Sequence, residues 1–322
     1  MNEPLVSICC ITYNHVSYIR QCIEGFLMQK TNFSYEIIIN DDCSTDGTTE
    51  IMKEYVDKYP NLIIPIYHDE NQYQKGKRGM FQKFVFPIAK GKYIAMCEGD
   101  DYWIDPMKLQ KQIEFLDNNS NISYIFTGRQ IYDERENTLI QQTYKKKLYY
   151  TSDILAGFNP GIQSNCFRKE CIDNVDFNNY IGINGDRLIP YLCSLKGHLA
   201  AINDITAVYR KTGLGVSTRI AGNEWFKHAC SDFYNFHKIL GFPSKKSYLK
   251  GMVKYFRPFI LKYGISKLPK QLNISYNEII NINSDFNLRD FTFLLYYSLA
   301  DKFKTLINLH DIINKNITNS KI

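Results

Sequence analysis

An α/β fold, with a mostly parallel sheet and flanking helices, is predicted for residues 1–220 by two observations. Short β-branched apolar runs with no polar alternation recur along this part of the chain, as in strands buried on both faces. Segments with apolar residues at helical spacing lie between them, and such alternation yields a parallel sheet with right-handed crossovers. In such sheets ligands bind beyond the carboxyl ends of the strands.

The first run, Leu5–Thr12, reads as a strand, and Val16–Gln29 as a helix with Ile19, Ile23, Phe26 and Leu27 on one face. Tyr35–Asn40 is the second strand and ends in the polar turn Asp41–Gly47, which feeds a helix over Thr48–Lys58. Leu62–Tyr67 and Tyr93–Cys97 are the third and fourth strands. Glu98-Gly99-Asp100-Asp101 follows, then a helix opened by Asp105-Pro106, with proline in a first-turn position. Ile122–Thr127 is the fifth strand, 130–150 a loop or hairpin, Asp186–Lys196 a helix and Ala200–Tyr209 a strand.

The 322 residues carry a net charge of +6, divided unevenly. Residues 211–322 hold 17 Lys+Arg and 7 Asp+Glu, so the remainder is net acidic. This shift sets a boundary near 220, with 1–220 one domain and 221–322 a basic, aromatic helical region. At 44% hydrophobic and 22% charged, wholesale disorder is excluded. No apolar run approaches the roughly 20 residues of a membrane span, and Met1–Pro4 does not open a signal peptide. Nine scattered cysteines without a Cys-x-x-Cys pair point to free thiols, not a zinc ribbon, and to a cytoplasmic chain.

Two acidic groups stand at predicted strand ends. The Asp41-Asp42 carboxylates can accept from a heterocycle N–H, although Asp, Ser and Thr also favour a plain helix cap here. Glu98, Asp100 and Asp101 place three acids in four positions with no base among them. Such a cluster is costly without a cation, and hard oxygen ligands suit Mg²⁺ or Mn²⁺. Gly185-Asp186 opens a helix, where an acid is commonplace. Lys77 and Arg78 lie in a glycine-containing segment where they can meet phosphate.

In this order the pieces resemble family 2 of the inverting glycosyltransferases, which have the Rossmann-like, A-type nucleotide-sugar fold. The matching residues are Val6-Ser7-Ile8 through Thr12-Tyr13-Asn14, Glu36–Thr48 with its Asp41-Asp42, Gly91–Ile94, Glu98–Trp103, Lys108-Leu109, Phe167-Arg168, Gly185-Asp186 and Tyr209-Arg210. The resemblance implies that Tyr13 packs on the nucleobase and Asp42 bonds it, with Thr12 nearby. It further implies that Asp100 or Asp101 binds the divalent metal on the diphosphate, that Asp186 is the catalytic base, and that Arg78 reaches phosphate or ribose. Two departures stand out: Glu98 replaces the usual first Asp of the metal motif, and Thr212 stands where many members carry a His.

The implied reaction is metal-dependent transfer of a sugar, with inversion, from a nucleotide-sugar donor. The donor is expected to be a UDP-sugar, and the acceptor a hydroxyl of a glycan or polyprenyl-linked acceptor in surface polysaccharide synthesis. A nucleotidyltransferase is the runner-up. It would want a Gly- and Lys/Arg-rich loop after the first strand, where this chain has Thr12-Tyr13-Asn14-His15. A non-catalytic nucleotide- or sugar-binding scaffold is the third reading, opposed by the presence of Asp186 beside the acidic cluster. No nucleic acid partner is expected. The acid-free stretch 238–270 interleaves Lys with Tyr and Phe, which fits either peripheral attachment to an anionic membrane surface or a helical cap with a solvated basic face.

Overall fold

The computed structural model describes residues 3–155, 158–177, 185–213 and 215. The boundary near 220 and the helical reading of 221–322, with the basic stretch 238–270, therefore lie outside the described residues. Four parallel strands form half of the sheet: β1 (Val6–Thr12), β2 (Tyr35–Asp41), β3 (Ile63–Tyr67) and β4 (Tyr93–Glu98). Helix α1 (Ile19–Leu27) connects β1 to β2, and α2 (Thr48–Lys58) connects β2 to β3. The sheet order across them is β3-β2-β1-β4. The order therefore reverses between β1 and β4, and in open α/β sheets the crevice at such a reversal is where ligands lodge.

The second half is less regular than a parallel sheet. β4 leads through β5 (Tyr102–Trp103) to α3 (Lys108–Asn118), then β6 (Ile122–Asp133), β7 (Thr138–Gln142), β8 (Leu148–Tyr149), α4 (Thr151–Leu155), β9 (Asn165–Arg168), α5 (Gly185–Lys196) and β10 (His198–Lys211). The order continues β4-β9-β6-β10-β5. β9 runs antiparallel between β4 and β6, while β10 lies parallel to β6 and antiparallel to β5. β6 runs on past Thr127 into a hairpin with β7. The sheet is thus mixed: β1, β2, β3, β4, β6 and β10 share one direction, as the mostly parallel reading expects, and β5, β7, β8 and β9 run against it.

Helix α1 begins three residues later than Val16. The backbone N–H groups of Asn14, His15 and Val16 are instead taken by Ser44 Oγ, Thr48 Oγ1 and Asp46 Oδ2, at 2.8–2.9 Å. Pro106 precedes α3, and Asp105 Oδ1 accepts the Met107 N–H.

The core is made of the strand faces turned to the helices. Val6, Ile8, Cys10, Ile37, Ile39, Tyr93, Ala95 and Cys97 pack against Ile19, Ile23, Phe26, Leu109 and Ile113. Each fully buried aliphatic side chain of this kind contributes about 1.5–3 kcal/mol. At the amino ends of the strands a buried polar knot replaces apolar packing. Ser7 Oγ donates to Glu36 Oε1 (2.6 Å), which also accepts the Lys90 N–H, and Gly91 N–H donates to Ser7 Oγ (2.8 Å). A Cβ at Gly91 would fall inside contact distance of the Ser7 backbone nitrogen. The matching residues Ser7, Glu36 and Gly91 therefore serve the fold, at the end of the sheet away from the switch point. The described cysteines are all free thiols, and no helix of the described residues is long and apolar enough to cross a membrane.

Candidate active site

The carboxyl ends of β1, β2 and β4 bring Thr12-Tyr13, Asp41-Asp42 and Glu98–Asp101 together at the order reversal. Two loops are laced across it. Asn14 is held in the left-handed region (φ 53°), and its side-chain oxygen accepts the Thr45 N–H at 2.8 Å. Burial tends to raise the Asp46 carboxyl, but hydrogen bonds from Thr48 and Val16 hold it below its ordinary value.

The two neighbouring aspartates divide in role. Asp41, 1% exposed, accepts from Ser44 N–H and Oγ and from Thr49 Oγ1, so it closes the turn ahead of α2. Asp42 reaches the other way. Its oxygens accept the backbone N–H groups of Gln72 (2.7 Å) and Tyr73 (3.0 Å), and its carbonyl accepts from Asn71 Nδ2. Asp42 thus pins the segment 71–73 beside Tyr13, whose hydroxyl meets Gln74 Nε2 at 3.5 Å. A carboxylate has about four acceptor positions, so both oxygens retain capacity for a ligand N–H. Arg78 closes the same segment: its guanidinium donates to the Tyr73 carbonyl (2.6 Å) and lies 4.0 Å from the Tyr73 ring centroid.

The acidic turn is the most charged part of the site. Glu98, Asp100 and Asp101 each offer an oxygen, and these atoms lie within 4.8 Å of one another. Asp101 is 1% exposed. Its Oδ1 accepts the Arg210 N–H at 2.8 Å, and its Oδ2 is buried without a hydrogen-bond partner. Burial first, then the charges of Asp100 and Glu98, push the Asp101 carboxyl well above the usual carboxylate range. An orphaned buried oxygen beside two further carboxylates is a donor set that suits a hard divalent cation. Asp100 is more open, with a side chain 18% exposed and 3.9 Å from His15 Nε2. Burial lowers His15 against the opposing pull of Asp100. Gly99 is required for this packing, because a Cβ there would stand 2.6 Å from Thr12 Oγ1.

Asp186 is the second residue of α5; its side chain lies outside the described residues. Thr12, Tyr13, Asp42, Asp100 and Asp101 are therefore brought together, Arg78 sits on the segment that Asp42 holds, and Asp186 is placed by its backbone alone. Phe167-Arg168 serves the fold: the Arg168 side chain donates to the carbonyls of Ile122, Leu116 and Asn119.

The order and spacing of these elements match known proteins. The family model for glycosyl transferase family 2 matches residues 7–188, more than half of the chain. The chain belongs to glycosyl transferase family 2. Among its relatives, an uncharacterized protein of Mycobacterium tuberculosis, Rv1520, is 34% identical over 217 residues, which are 66% of this chain and 60% of that protein. The chain thus spans about three fifths of that relative's length. The Bacillus subtilis protein TuaG, named for teichuronic acid biosynthesis, is 30% identical over 69% of this chain and 84% of its own length. The UDP-Glc:alpha-D-GlcNAc-diphosphoundecaprenol beta-1,3-glucosyltransferase WfaP of Escherichia coli is 41% identical over 113 residues, 35% of this chain and 41% of WfaP. The fold is shared with S. aureus TarS, solved in complex with UDP-GlcNAc, at a TM-score of 0.64 and 18% identity over 86% of this chain and 81% of that one.

Two features of this family 2 site were not foreseen from the residues. One is the grip of Asp42 on segment 71–73, for which the sequence carries only the polar letters Asn71-Gln72. The other is Arg210, which the resemblance marked without a role.

Proposed function

We propose that this chain transfers a sugar, with inversion, from a UDP-sugar to a hydroxyl of a glycan or polyprenyl-linked acceptor, in the assembly of a surface polysaccharide. The observation that carries the reading is the acidic turn Glu98–Asp101 at the end of β4, across the switch point from Asp42 at the end of β2. UDP-linked and lipid-linked chemistry in WfaP, teichuronic acid in the naming of TuaG and UDP-GlcNAc in the TarS complex support donor and acceptor classes of this kind.

In this reading Tyr13 packs on the base, and Asp42 accepts its N–H while holding segment 71–73 over it. Asp100, with Asp101 behind it and Glu98 alongside, would hold Mn²⁺ or Mg²⁺. When bound, such a cation stabilises the charge that develops on the leaving diphosphate. Thr12 sits at the floor of the site, and Arg78 steadies the wall from which it reaches toward ribose or phosphate. Asp186 takes the proton of the acceptor hydroxyl as its oxygen attacks the anomeric carbon from the side opposite the diphosphate. A single displacement of this kind inverts the configuration and needs no covalent intermediate.

The test is release of UDP from a panel of UDP-sugars in the presence of Mn²⁺, with Asp186→Asn as the separating variant. Donor binding is expected to persist in the variant while transfer falls by about 10²–10⁴-fold. Binding of UDP-sugars with no turnover, by the parent or with any acceptor glycan, would favour the scaffold reading instead.

A further inference from the structure

We infer that Arg210 is a positioning residue that latches the acidic turn in the geometry needed for metal-dependent nucleotide binding, an inference that rests on the donor-site reading above. Arg210 lies at the carboxyl end of β10, three strands away from β4 in the sheet order. It nevertheless holds the turn after β4 at two points. Its backbone N–H donates to Asp101 Oδ1 (2.8 Å), and its Nε donates to the Asp100 carbonyl (2.8 Å). The rest of the guanidinium is fixed from outside. Nη2 donates to Gln21 Oε1 on α1 at 2.7 Å, Nη1 lies 3.4 Å from Glu134 Oε1 on the β6–β7 hairpin, and the rings of Tyr18 and Tyr102 stand 4.8 Å from it. Tyr18 in turn donates to Glu134 Oε2 at 2.8 Å.

The consequence is mechanical. Glu98 belongs to β4, which pairs with β1, whereas Tyr102 and Trp103 pair with Val208 and Ala207 of β10. The turn is therefore slung between two parts of the sheet: the Gly99 N–H donates to the Ile11 carbonyl of β1 (2.9 Å) and the Asp101 N–H to the Glu98 carbonyl (3.0 Å), while the Asp100 carbonyl is held from β10 by the Arg210 side chain. With Oδ1 of Asp101 taken by the Arg210 N–H, the second oxygen is left buried and unpartnered beside Glu98 and Asp100. A planar guanidinium with five donors can serve the Asp100 carbonyl, Gln21 and Glu134 together; an ammonium cannot reproduce that fork. Outer partners of this kind tune a metal site by orienting the groups that ligate it.

The experiment is calorimetric titration of Mn²⁺ into the UDP-saturated full chain, with UDP titrated in EDTA as the reference. Arg210→Lys is expected to weaken Mn²⁺ binding about tenfold or more while UDP affinity in EDTA stays at the parent value. Gln21→Ala, at an exposed helix position, removes one outer tether and should move Mn²⁺ affinity in the same direction by less, with an unchanged melting temperature. It carries the test should the lysine variant fold poorly. Parent-like Mn²⁺ affinity in Gln21→Ala, and in a folded Arg210→Lys, overturns the latch alone. Absence of any Mn²⁺ effect on UDP binding in the parent overturns both the latch and the metal site on which it rests.

Discussion

Adjacent acids do different work here, and their partners show which. Asp41 is spent on Ser44 and Thr49, whereas Asp42 holds the amides of Gln72 and Tyr73, next to Gln74, which meets the Tyr13 hydroxyl. Asp42→Ala is therefore expected to weaken UDP binding by about 1–3 kcal/mol, through a lost charged hydrogen bond and a loosened wall. Titration of UDP and ADP checks this: the variant should lose its preference between bases, and an unchanged preference would contradict the role. Lys108 offers a test in the core. It is fully buried, bonds Gln112 Oε1 and the Asn165 carbonyl, and lies 4.1 Å from the Trp103 ring. Burial pulls it down to about 8, against weaker upward pulls from Cys166, Cys97 and Asp105. Between that value and roughly 10.4 the unfolded chain keeps a proton that the folded chain lacks, so this group makes stability rise with pH. Relative to Lys108→Met, the parent should gain about 2 kcal/mol between pH 8 and pH 10 in denaturant unfolding. A constant difference would mean that Lys108 is not perturbed.

At the scale of elements, glycines mark where strands and turns approach one another. Gly91 presses on the backbone of Ser7, which cannot rotate away. Gly91→Ala should cost about 3 kcal/mol of stability, the upper range for overpacking, and leave UDP affinity of the folded fraction unchanged, because the knot it disturbs lies at the other end of the strands. A melting temperature equal to the parent's would count against the tight approach. The four parallel strands and their two connecting helices were legible from sustained patterns: short runs of mostly apolar residues for the strands, and helical spacing for α1 and α2. β9 was not, since four residues, Asn165–Arg168, carry no period, and their place between β4 and β6 is set by tertiary pairing. The acidic turn was legible as charge density at the end of a buried strand. The bonds from Arg210 and from segment 71–73 were not, because they join residues 30 to 110 positions apart, and no local pattern encodes such a pairing.

Across the described residues, the pieces that matter converge on one end of one sheet. The order reversal between β1 and β4 opens the crevice, β2 contributes the pair Asp41-Asp42, and β10 reaches back to brace the acids. Family 2 membership accounts for this layout, while a cluster of three carboxylates, one of them with a buried unpaired oxygen, explains why a cation would complete it. The direct measurement is calorimetric titration of UDP into the parent and into an Asp100→Asn, Asp101→Asn double variant, each with Mn²⁺ and with EDTA. The parent should bind UDP more tightly with Mn²⁺ than with EDTA. The double variant should keep its fold, match the parent in EDTA and gain nothing from Mn²⁺. A double variant that binds UDP with Mn²⁺ as tightly as the parent does would contradict the assignment of the cation to Asp100 and Asp101.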